Sequence, residues 1–251
     1  MATQQSPAFI LRKVNYGERH VILHLLSRDN GRVSAIAYNA RASKRRFAGA
    51  LEPLRIVEAS LSPPRSGDLY GLDEMEVVQD FPGIEDRLES ITAAGYATEL
   101  VRETWREGED SRRLFDLLTL FYKHLPACPT SLAIARLVYQ FEYQLLDLYG
   151  LAPNIDGCSR CACLPKTMER LHFSRHGEGL ICTACRHPGD AVAYITPETL
   201  AVLHHLANPD LPLPTNDTEA ALSQAGRVLS NAIDHNIDRP LPARQMLRTL
   251  L

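Results

Sequence analysis

The first 80 residues carry short apolar runs separated by polar turns, a pattern typical of β-strands rather than helices. We expect five strands, at about 8–14, 20–27, 33–38, 53–61 and 69–78. The second and third runs are joined by Asn30-Gly31, which favours a type I′ hairpin turn because both central residues need positive φ. Closure into a small barrel would remove unpaired edge strands. Five strands of this length predict an OB-fold, although the count alone also allows an SH3-like barrel.

Beyond Phe81 the apolar residues recur every three or four positions, as on the buried face of a helix. Thr196-Pro197-Glu198 is a typical helix start, and Gly150 is a typical helix end. The predicted helices cover 84–100, 114–121 with Asp110 or Ser111 as N-cap, 130–148, a segment from 197 onward, and 217–236. The predicted fold class is therefore α+β, with an OB-fold barrel at 1–80 and a helical domain at 81–251.

Two pairs of cysteines interrupt the helical part, in an insertion at about 154–190. Cys158 and Cys161 form one C-x2-C hook, and Cys182 and Cys185 form a second after 20 intervening residues. Two such hooks place four thiolates at the corners of a tetrahedron around Zn²⁺. The sequence therefore predicts one zinc ion, which is structural because four thiolates leave no position for water or substrate. Disulfide bonds between these cysteines are a weaker interpretation than a zinc site, since nothing in the sequence indicates an oxidising compartment.

The same segment offers further side chains that could bind a metal. Cys163 is a spare thiol that could substitute for Cys161 in a less usual hook. Cys128, between helices, is expected to pack as a small apolar residue. Three histidines are expected at the surface rather than as ligands: His172, His176 and His187.

The net charge of −3 hides a strong asymmetry along the chain. Residues 1–66 carry 11 Lys/Arg and four Asp/Glu, a net charge of +7, so the remaining residues carry −10. Four cations fall within six residues of the segment 39–47. Such a loop is either an ordinary solvated surface or a loop that contacts phosphates while its aromatic neighbours stack on bases. The net charge of +7 on residues 1–66 favours the phosphate-contacting loop. The candidate nucleic-acid contacts are Arg12, Arg32, Tyr38, Arg41, Lys44, Arg45, Arg46 and Phe47.

Sequence motifs of several enzyme classes are missing. There is no G-x-x-x-x-G-K-[ST] phosphate loop, no H-E-x-x-H and no G-x-S-x-G. The composition, 45% hydrophobic and 23% charged, is typical of a folded globular protein. No run approaches about 18 apolar residues, and the start has no basic region followed by an apolar core. We therefore expect a cytoplasmic protein without a membrane span and without catalytic residues.

The order of these parts resembles the RecO family of bacterial DNA repair proteins. The resemblance rests on the hairpin Arg28-Asp29-Asn30-Gly31-Arg32, on the basic segment 41–53, and on Tyr149-Gly150 leading into the two cysteine hooks. It extends over nearly the whole chain. Where the family often has a glycine after the second cysteine, this sequence has Ala162.

The resemblance implies a recombination mediator of the RecF pathway, associated with the nucleoid. RecO-like proteins bind single- and double-stranded DNA, anneal complementary strands, and act with RecR to help RecA replace single-strand-binding protein. The C-terminal tail of single-strand-binding protein is then expected to dock on the helical domain. Two alternatives remain open: a zinc-stabilised protein adaptor without direct DNA binding, and a zinc-dependent nucleic-acid enzyme, which would need an open metal position.

Overall fold

The computed structural model describes residues 3–43, 45–64, 67–104, 111–211, 218–237 and 239–251. The chain divides into two compact units. The first comprises Met1–Pro129 and Leu241–Leu250, and the second comprises Thr130–Pro240 with Leu251. The division into residues 1–80 and 81–251 that the sequence suggests stays a prediction.

Five strands of the first unit form a closed barrel in the order β1-β2-β3-β5-β4. They are β1 (Gln4–Tyr16), β2 (His20–Ser27), β3 (Gly31–Ala37), β4 (Arg55–Ser62) and β5 (Tyr70–Asp80). β1 pairs antiparallel with both β2 and β4, and β3 pairs parallel with β5, so no edge is left open. The predicted fold class, an OB-like barrel followed by helices, is confirmed.

The barrel core is built by residues that alternate along the strands. Val21, Leu23 and Leu25 of β2 have no exposed surface and belong to one cluster with residues of the other strands. Phe47, from the segment between β3 and β4, joins this cluster and is only 2% exposed. The basic segment is therefore anchored to the barrel by an aromatic side chain.

The hairpin between β2 and β3 forms as expected, but its turn is not type I′. Ser27 pairs with Gly31, which leaves a three-residue loop, and Gly31 rather than Asn30 has positive φ (70°). The buried Ser27 hydroxyl explains the difference, because it accepts hydrogen bonds from the backbone and side-chain nitrogens of Asn30, at 3.1 and 3.3 Å. A local side-chain contact has replaced the two-residue turn.

Among the described residues, the first unit also contains the α-helices α1 (Leu88–Thr104), α2 (Ser111–His124) and α6 (Pro242–Leu250). An aromatic cluster joins α2 to the barrel, with the Phe9 ring of β1 at 4.9 Å from that of Phe115 and 5.3 Å from that of Tyr122. Ser111 begins α2 and donates its hydroxyl to the Arg28 carbonyl, while the alternative N-cap, Asp110, lies outside the described residues. α6 was not expected from the sequence.

The second unit contains α3 (Ser131–Leu148), α4 (Pro197–Ala207) and α5 (Glu219–Asn236). Thr130 and Thr196 are N-caps whose hydroxyls accept backbone N–H groups at 3.2 Å, and the sequence predicts the cap at Thr196. Between α3 and α4 lies a small sheet in the order β7-β6-β8. Its strands are β6 (His172–Ser174), β7 (Leu180–Ile181) and β8 (Val192–Tyr194). In the described part of the chain, no helix has both the length and the apolar character that crossing a bilayer requires.

Candidate metal centre and nucleic-acid interface

Four cysteine side chains converge in the segment between α3 and α4. The sulfur atoms of Cys158, Cys161, Cys163 and Cys182 all lie within 4.8 Å of one another. Three of them are predicted zinc ligands, and the fourth, Cys163, is the residue that the sequence left as a spare thiol. The spacing therefore located the cluster, but Cys163 rather than Cys185 completes the group of four neighbouring sulfur atoms.

Hydrogen bonds of the backbone build the first hook. The Cys158 N–H donates to the Cys163 carbonyl at 2.9 Å, and the Ala162 N–H donates to the Cys158 carbonyl at 2.8 Å. Ala162 has a left-handed backbone (φ 58°), which turns the chain so that Cys163 returns beside Cys158. Gly157 faces the carbonyl oxygens of Ala162 and Cys163, where an added Cβ would approach to 3.2 Å. The hook is therefore a tight turn that needs a small residue at its entrance.

The second hook is a short 3-10 turn, Thr183–Cys185, that begins directly after Cys182. The Cys185 N–H donates to the Cys182 carbonyl at 3.1 Å. Hydrogen bonds with the thiols of Cys161 and Cys182, together with burial, raise the pKa of the Cys185 thiol. Cys185 is a predicted ligand, but its sulfur is not among the four that lie within 4.8 Å of one another.

The arrangement fits a zinc ion with four thiolate ligands. Zn–S bonds of about 2.3 Å in a tetrahedron place neighbouring sulfur atoms roughly 3.8 Å apart, and the Cys161 and Cys182 sulfurs are 3.7 Å apart. Burial by itself raises the pKa of the Cys158 thiol, but hydrogen bonds from backbone N–H groups have the larger effect and lower this pKa to about 6. The first of these donors is the Cys182 N–H, which lies 3.4 Å from the Cys158 sulfur. A deprotonated thiol is the form that binds a metal.

The three histidines of this segment and Cys128 differ from one another in how exposed their side chains are. His176 and His187 are exposed, as expected. His172 is not a surface residue: it lies on β6, is 8% exposed, and burial lowers the pKa of its imidazole. The strand pairing of His172 with Ile181 and Tyr194 explains this burial, because β6 is the central strand of its sheet. Cys128 belongs to the first unit, where its thiol lies 3.7 Å from the His124 carbonyl oxygen.

Exposed arginines of the basic segment also hydrogen-bond to the backbone of the barrel. Arg41, Arg45 and Arg46 are exposed, and the Arg41 guanidinium donates to the Glu18 carbonyl at 3.1 Å. Tyr38 is 56% exposed, and its ring lies 5.3 Å from that of His20. Arg46 donates to the carbonyls of Tyr38 and Asp73 at 2.7 and 3.3 Å, so its guanidinium holds the segment to the barrel. Lys44 lies outside the described residues.

Phe47 does not fit the predicted stacking role. Its ring is buried in the barrel core, and the Arg46 guanidinium covers it at 5.0 Å from the ring centre. With only 2% of its surface exposed, the ring offers too little area for a base to stack on. An aromatic residue that follows a basic loop can anchor the loop or bind a ligand, and here it anchors the loop.

Arg12 of β1 and Arg32 of β3 are exposed on the outer face of the barrel. Arg12 pairs with His24 across β1 and β2, and His24 pairs with Ser34 across β2 and β3. Burial and the charges of Arg32 and Arg12 lower the pKa of the His24 imidazole. His24 was not singled out from the sequence, and only the strand register reveals that it lies among these arginines.

A pocket of about 610 Å³ opens at one end of the barrel, beside the basic segment. Lys13 of β1 pairs with the inward-facing Leu23, and both Lys13 and Arg41 line the pocket. Lys13 also forms an ion pair with Glu52 at 3.2 Å. The sequence places Lys13 among the cations of residues 1–66 but does not identify it as a site residue. Its position beside the pocket depends on the register of β1, which the sequence does not reveal.

The comparison with known proteins agrees with the observed architecture. Residues 1–81 match the family description "Recombination protein O N terminal", and residues 85–245 match "Recombination protein O C terminal". Three proteins named "DNA repair protein RecO" are similar over almost their full length. That of Anaeromyxobacter dehalogenans is 36% identical over 240 residues, 95% of this chain and 93% of the relative. Those of Gloeobacter violaceus and Pelobacter propionicus are each 32% identical, over 98% and 100% of this chain and 92% and 98% of the relatives.

The barrel, the helices and these matches define a protein of bacterial DNA repair and recombination. More specifically, the chain belongs to the RecO family.

Proposed function

We propose that this protein is a DNA-binding recombination mediator. It binds single- and double-stranded DNA, anneals complementary strands and, with RecR, helps RecA replace single-strand-binding protein. The observation that carries the proposal is the open end of the OB-like barrel, where a pocket of about 610 Å³ lies between Lys13 and Arg41. Arg45 is exposed in the segment 39–47, and the exposed Tyr38 directly precedes that segment. OB-folds bind oligonucleotides on a barrel face flanked by such loops.

The proposed activity requires competition for the DNA backbone rather than bond cleavage. Cations at the barrel displace the counterions of the phosphates, which is the dominant source of sequence-independent affinity. An exposed tyrosine adds a surface on which an unpaired base can stack. The predicted absence of catalytic residues is consistent with this role, and it stays a prediction.

Zinc would stabilise the fold of the second unit. Cys158, Cys161 and Cys182, with Cys163 or Cys185, would hold it. A metal with four thiolate ligands supplies cross-links to a segment that is too short to build its own apolar core. The surface of the acidic helical part, in this proposal, contacts RecR and the C-terminal tail of single-strand-binding protein.

Salt-dependent DNA binding tests the proposal. Fluorescence anisotropy with a labelled single-stranded oligonucleotide should show a steep fall of affinity with salt concentration. The double variant Arg41→Ala/Arg45→Ala should weaken binding and reduce the slope of log K against log salt by about 0.7 for each lost phosphate contact. The matched control is Arg28→Ala/Arg112→Ala, because these two guanidiniums already pair with Asp116 and Asp29. Equal affinity and slope in all three proteins would contradict the proposal and favour the adaptor alternative.

A second experiment separates stacking from charge. Tyr38→Ala should weaken binding to single-stranded DNA by about 1–3 kcal/mol and change duplex binding less, because paired bases offer no free face. Tyr38→Phe should retain the binding. Tyr194→Ala is the control, since Tyr194 has similar exposure but lies in the other unit.

A further inference from the structure

Among the residues that the structure describes, three charged side chains line the pocket at the end of the barrel. Lys13 and Arg41 carry positive charge, and Glu52 carries negative charge. An acidic group is unexpected in a site proposed to bind a polyanion, because a carboxylate repels phosphates. The contacts of Glu52 therefore indicate what it does at the pocket.

The two cations of the pocket have different hydrogen-bond acceptors. The Arg41 guanidinium donates to the Glu18 carbonyl oxygen at 3.1 Å, and this acceptor carries no net charge. Lys13 Nζ donates to a carboxylate oxygen of Glu52 at 3.2 Å, so an anion balances its charge. A phosphate that enters the pocket therefore meets the full charge of Arg41, whereas Lys13 is already bound to a negatively charged oxygen.

The Lys13–Glu52 ion pair joins two separate segments of the first unit. Lys13 lies on β1, and Glu52 lies in the segment between β3 and β4. Both side chains reach solvent, with 35% of Lys13 and 62% of Glu52 exposed. An exposed ion pair contributes little to stability, because water screens its charges. The Glu52 carboxylate can therefore exchange Lys13 for water at little cost to the fold.

We propose that Glu52 occupies the phosphate-binding position of Lys13 in the free protein and that DNA displaces it. This inference rests on the proposed binding of DNA at the pocket. A carboxylate and a phosphate offer the Lys13 ammonium group the same kind of acceptor, a negatively charged oxygen. When a DNA phosphate binds Lys13, the Glu52 carboxylate moves into solvent, since two anions at one ammonium group repel each other. Lys13 is thereby a further phosphate contact, and Glu52 lowers the affinity that this contact provides.

Removal of the Glu52 charge tests the competition. Glu52→Gln keeps the size of the side chain. At low salt it should tighten binding of a labelled single-stranded oligonucleotide about twofold to fivefold, the range expected for an exposed ion pair that no longer has to be broken. The gain should shrink as the salt concentration rises, because ions screen the charges.

The matched control is Glu76→Gln. It removes the same charge from an exposed position on β5 of the same barrel, outside the described lining of the pocket. We expect a smaller gain than for Glu52→Gln. An equal gain in both variants would show an effect of net charge alone and would overturn the inference.

The Lys13→Gln background shows whether Glu52 acts through Lys13. Lys13→Gln alone should weaken binding and reduce the slope of log K against log salt by about 0.7, because one phosphate contact is lost. In this background, the gain from Glu52→Gln should fall to that of the Glu76→Gln control. A gain as large as in the presence of Lys13 would mean that Glu52 repels DNA without occupying Lys13. That result, or unchanged DNA binding by Lys13→Gln, would overturn the inference.

The competition and the proposed function fail in different ways. Wild-type protein without salt-dependent DNA binding would refute the DNA-binding function, and the competition with it. Wild-type protein whose DNA binding depends on Arg41 and Arg45, but shows no coupling between Lys13 and Glu52, would refute the competition and leave the function intact.

Discussion

Arg160 and Asp190 form a two-pronged ion pair that joins the two cysteine hooks. The guanidinium nitrogens lie 2.6 and 2.7 Å from the two carboxylate oxygens. Arg160 stands between Cys158 and Cys161, whereas Asp190 follows the second hook and also accepts the His187 N–H at 2.7 Å. The hydrogen bonds from Arg160 and then from His187 hold the pKa of the Asp190 carboxyl well below its usual range. A paired geometry of this kind fixes orientation as well as distance.

Removal of this ion pair should loosen the metal site without removing a ligand. We expect Asp190→Ala to release zinc to a chelator faster than the wild type, because Arg160 then no longer ties the first hook to the chain after Cys185. The rate is measured with a colorimetric chelator at equal protein concentration. Asp156→Ala is the matched control, since Asp156 lies in the same unit but is largely exposed, with a single 3.6 Å contact to His204. Equal release rates for both variants would show that the ion pair does not support the site.

Ala162 has a strained, left-handed backbone in the first hook, so Ala162→Gly should stabilise the protein. A left-handed backbone costs an L-residue roughly 1 kcal/mol, and Ala162 has φ of 58°. Glycine adopts this conformation freely but loses about 0.5–1 kcal/mol more conformational entropy on folding than alanine, so we expect a net gain of at most about 0.5 kcal/mol. The free energy of unfolding of the zinc-loaded protein measures the effect.

The control for this variant is Ala220→Gly. Ala220 is exposed and lies in α5 with an ordinary helical backbone, so glycine there should lower stability by up to about 1 kcal/mol. Opposite signs for the two substitutions would attribute the effect to the backbone conformation. A loss of stability in both would contradict it.

The sequence predicted those features that depend on neighbouring residues. The barrel strands follow from dense apolar runs, and the start of α4 follows from Thr196, whose hydroxyl accepts the backbone N–H of Thr199. The two C-x2-C hooks located the cysteine cluster. In each of these cases the deciding contact lies within a few positions of the residue that signals it.

Features that depend on distant contacts could not be predicted. Phe47 anchors the basic segment because the barrel core has room for its ring, which the segment's composition does not reveal. Cys163 joins the cluster because Ala162 adopts a left-handed backbone that alanine rarely prefers. α6 is short, and it packs within the first unit although it follows the whole second unit in the chain.

Phe9 is expected to be the main support between the barrel and α2. It is 2% exposed, and its ring contacts those of Phe81, Phe115 and Tyr122. We expect Phe9→Ala to cost about 3–5 kcal/mol in the free energy of unfolding, because the surrounding rings cannot fill the space. Denaturant titration followed by circular dichroism measures the loss. Tyr16→Ala on the same strand is the control: its ring is 55% exposed, so the change should stay within about 0.5 kcal/mol.

His24 should make the folded barrel sensitive to mild acid. Burial, followed by the charges of Arg32, Arg12 and Arg102, lowers the pKa of its imidazole in the folded state. In the unfolded chain the imidazole titrates near its ordinary value of about 6.5. The stabilising effect of a neutral His24 is therefore fully present above about pH 6.5 and is lost as the pH falls through the lowered folded-state pKa.

The variant His24→Gln isolates this contribution. It cannot take up a proton, so its stability should fall less than that of the wild type between pH 7 and pH 5. His172, whose pKa is also lowered by burial, remains in both proteins and cancels from the comparison. Thermal unfolding at a series of pH values gives the difference, and NMR titration of the His24 ring gives its pKa directly. Parallel stability curves for the two proteins would show that the arginines around His24 do not repel its protonated form.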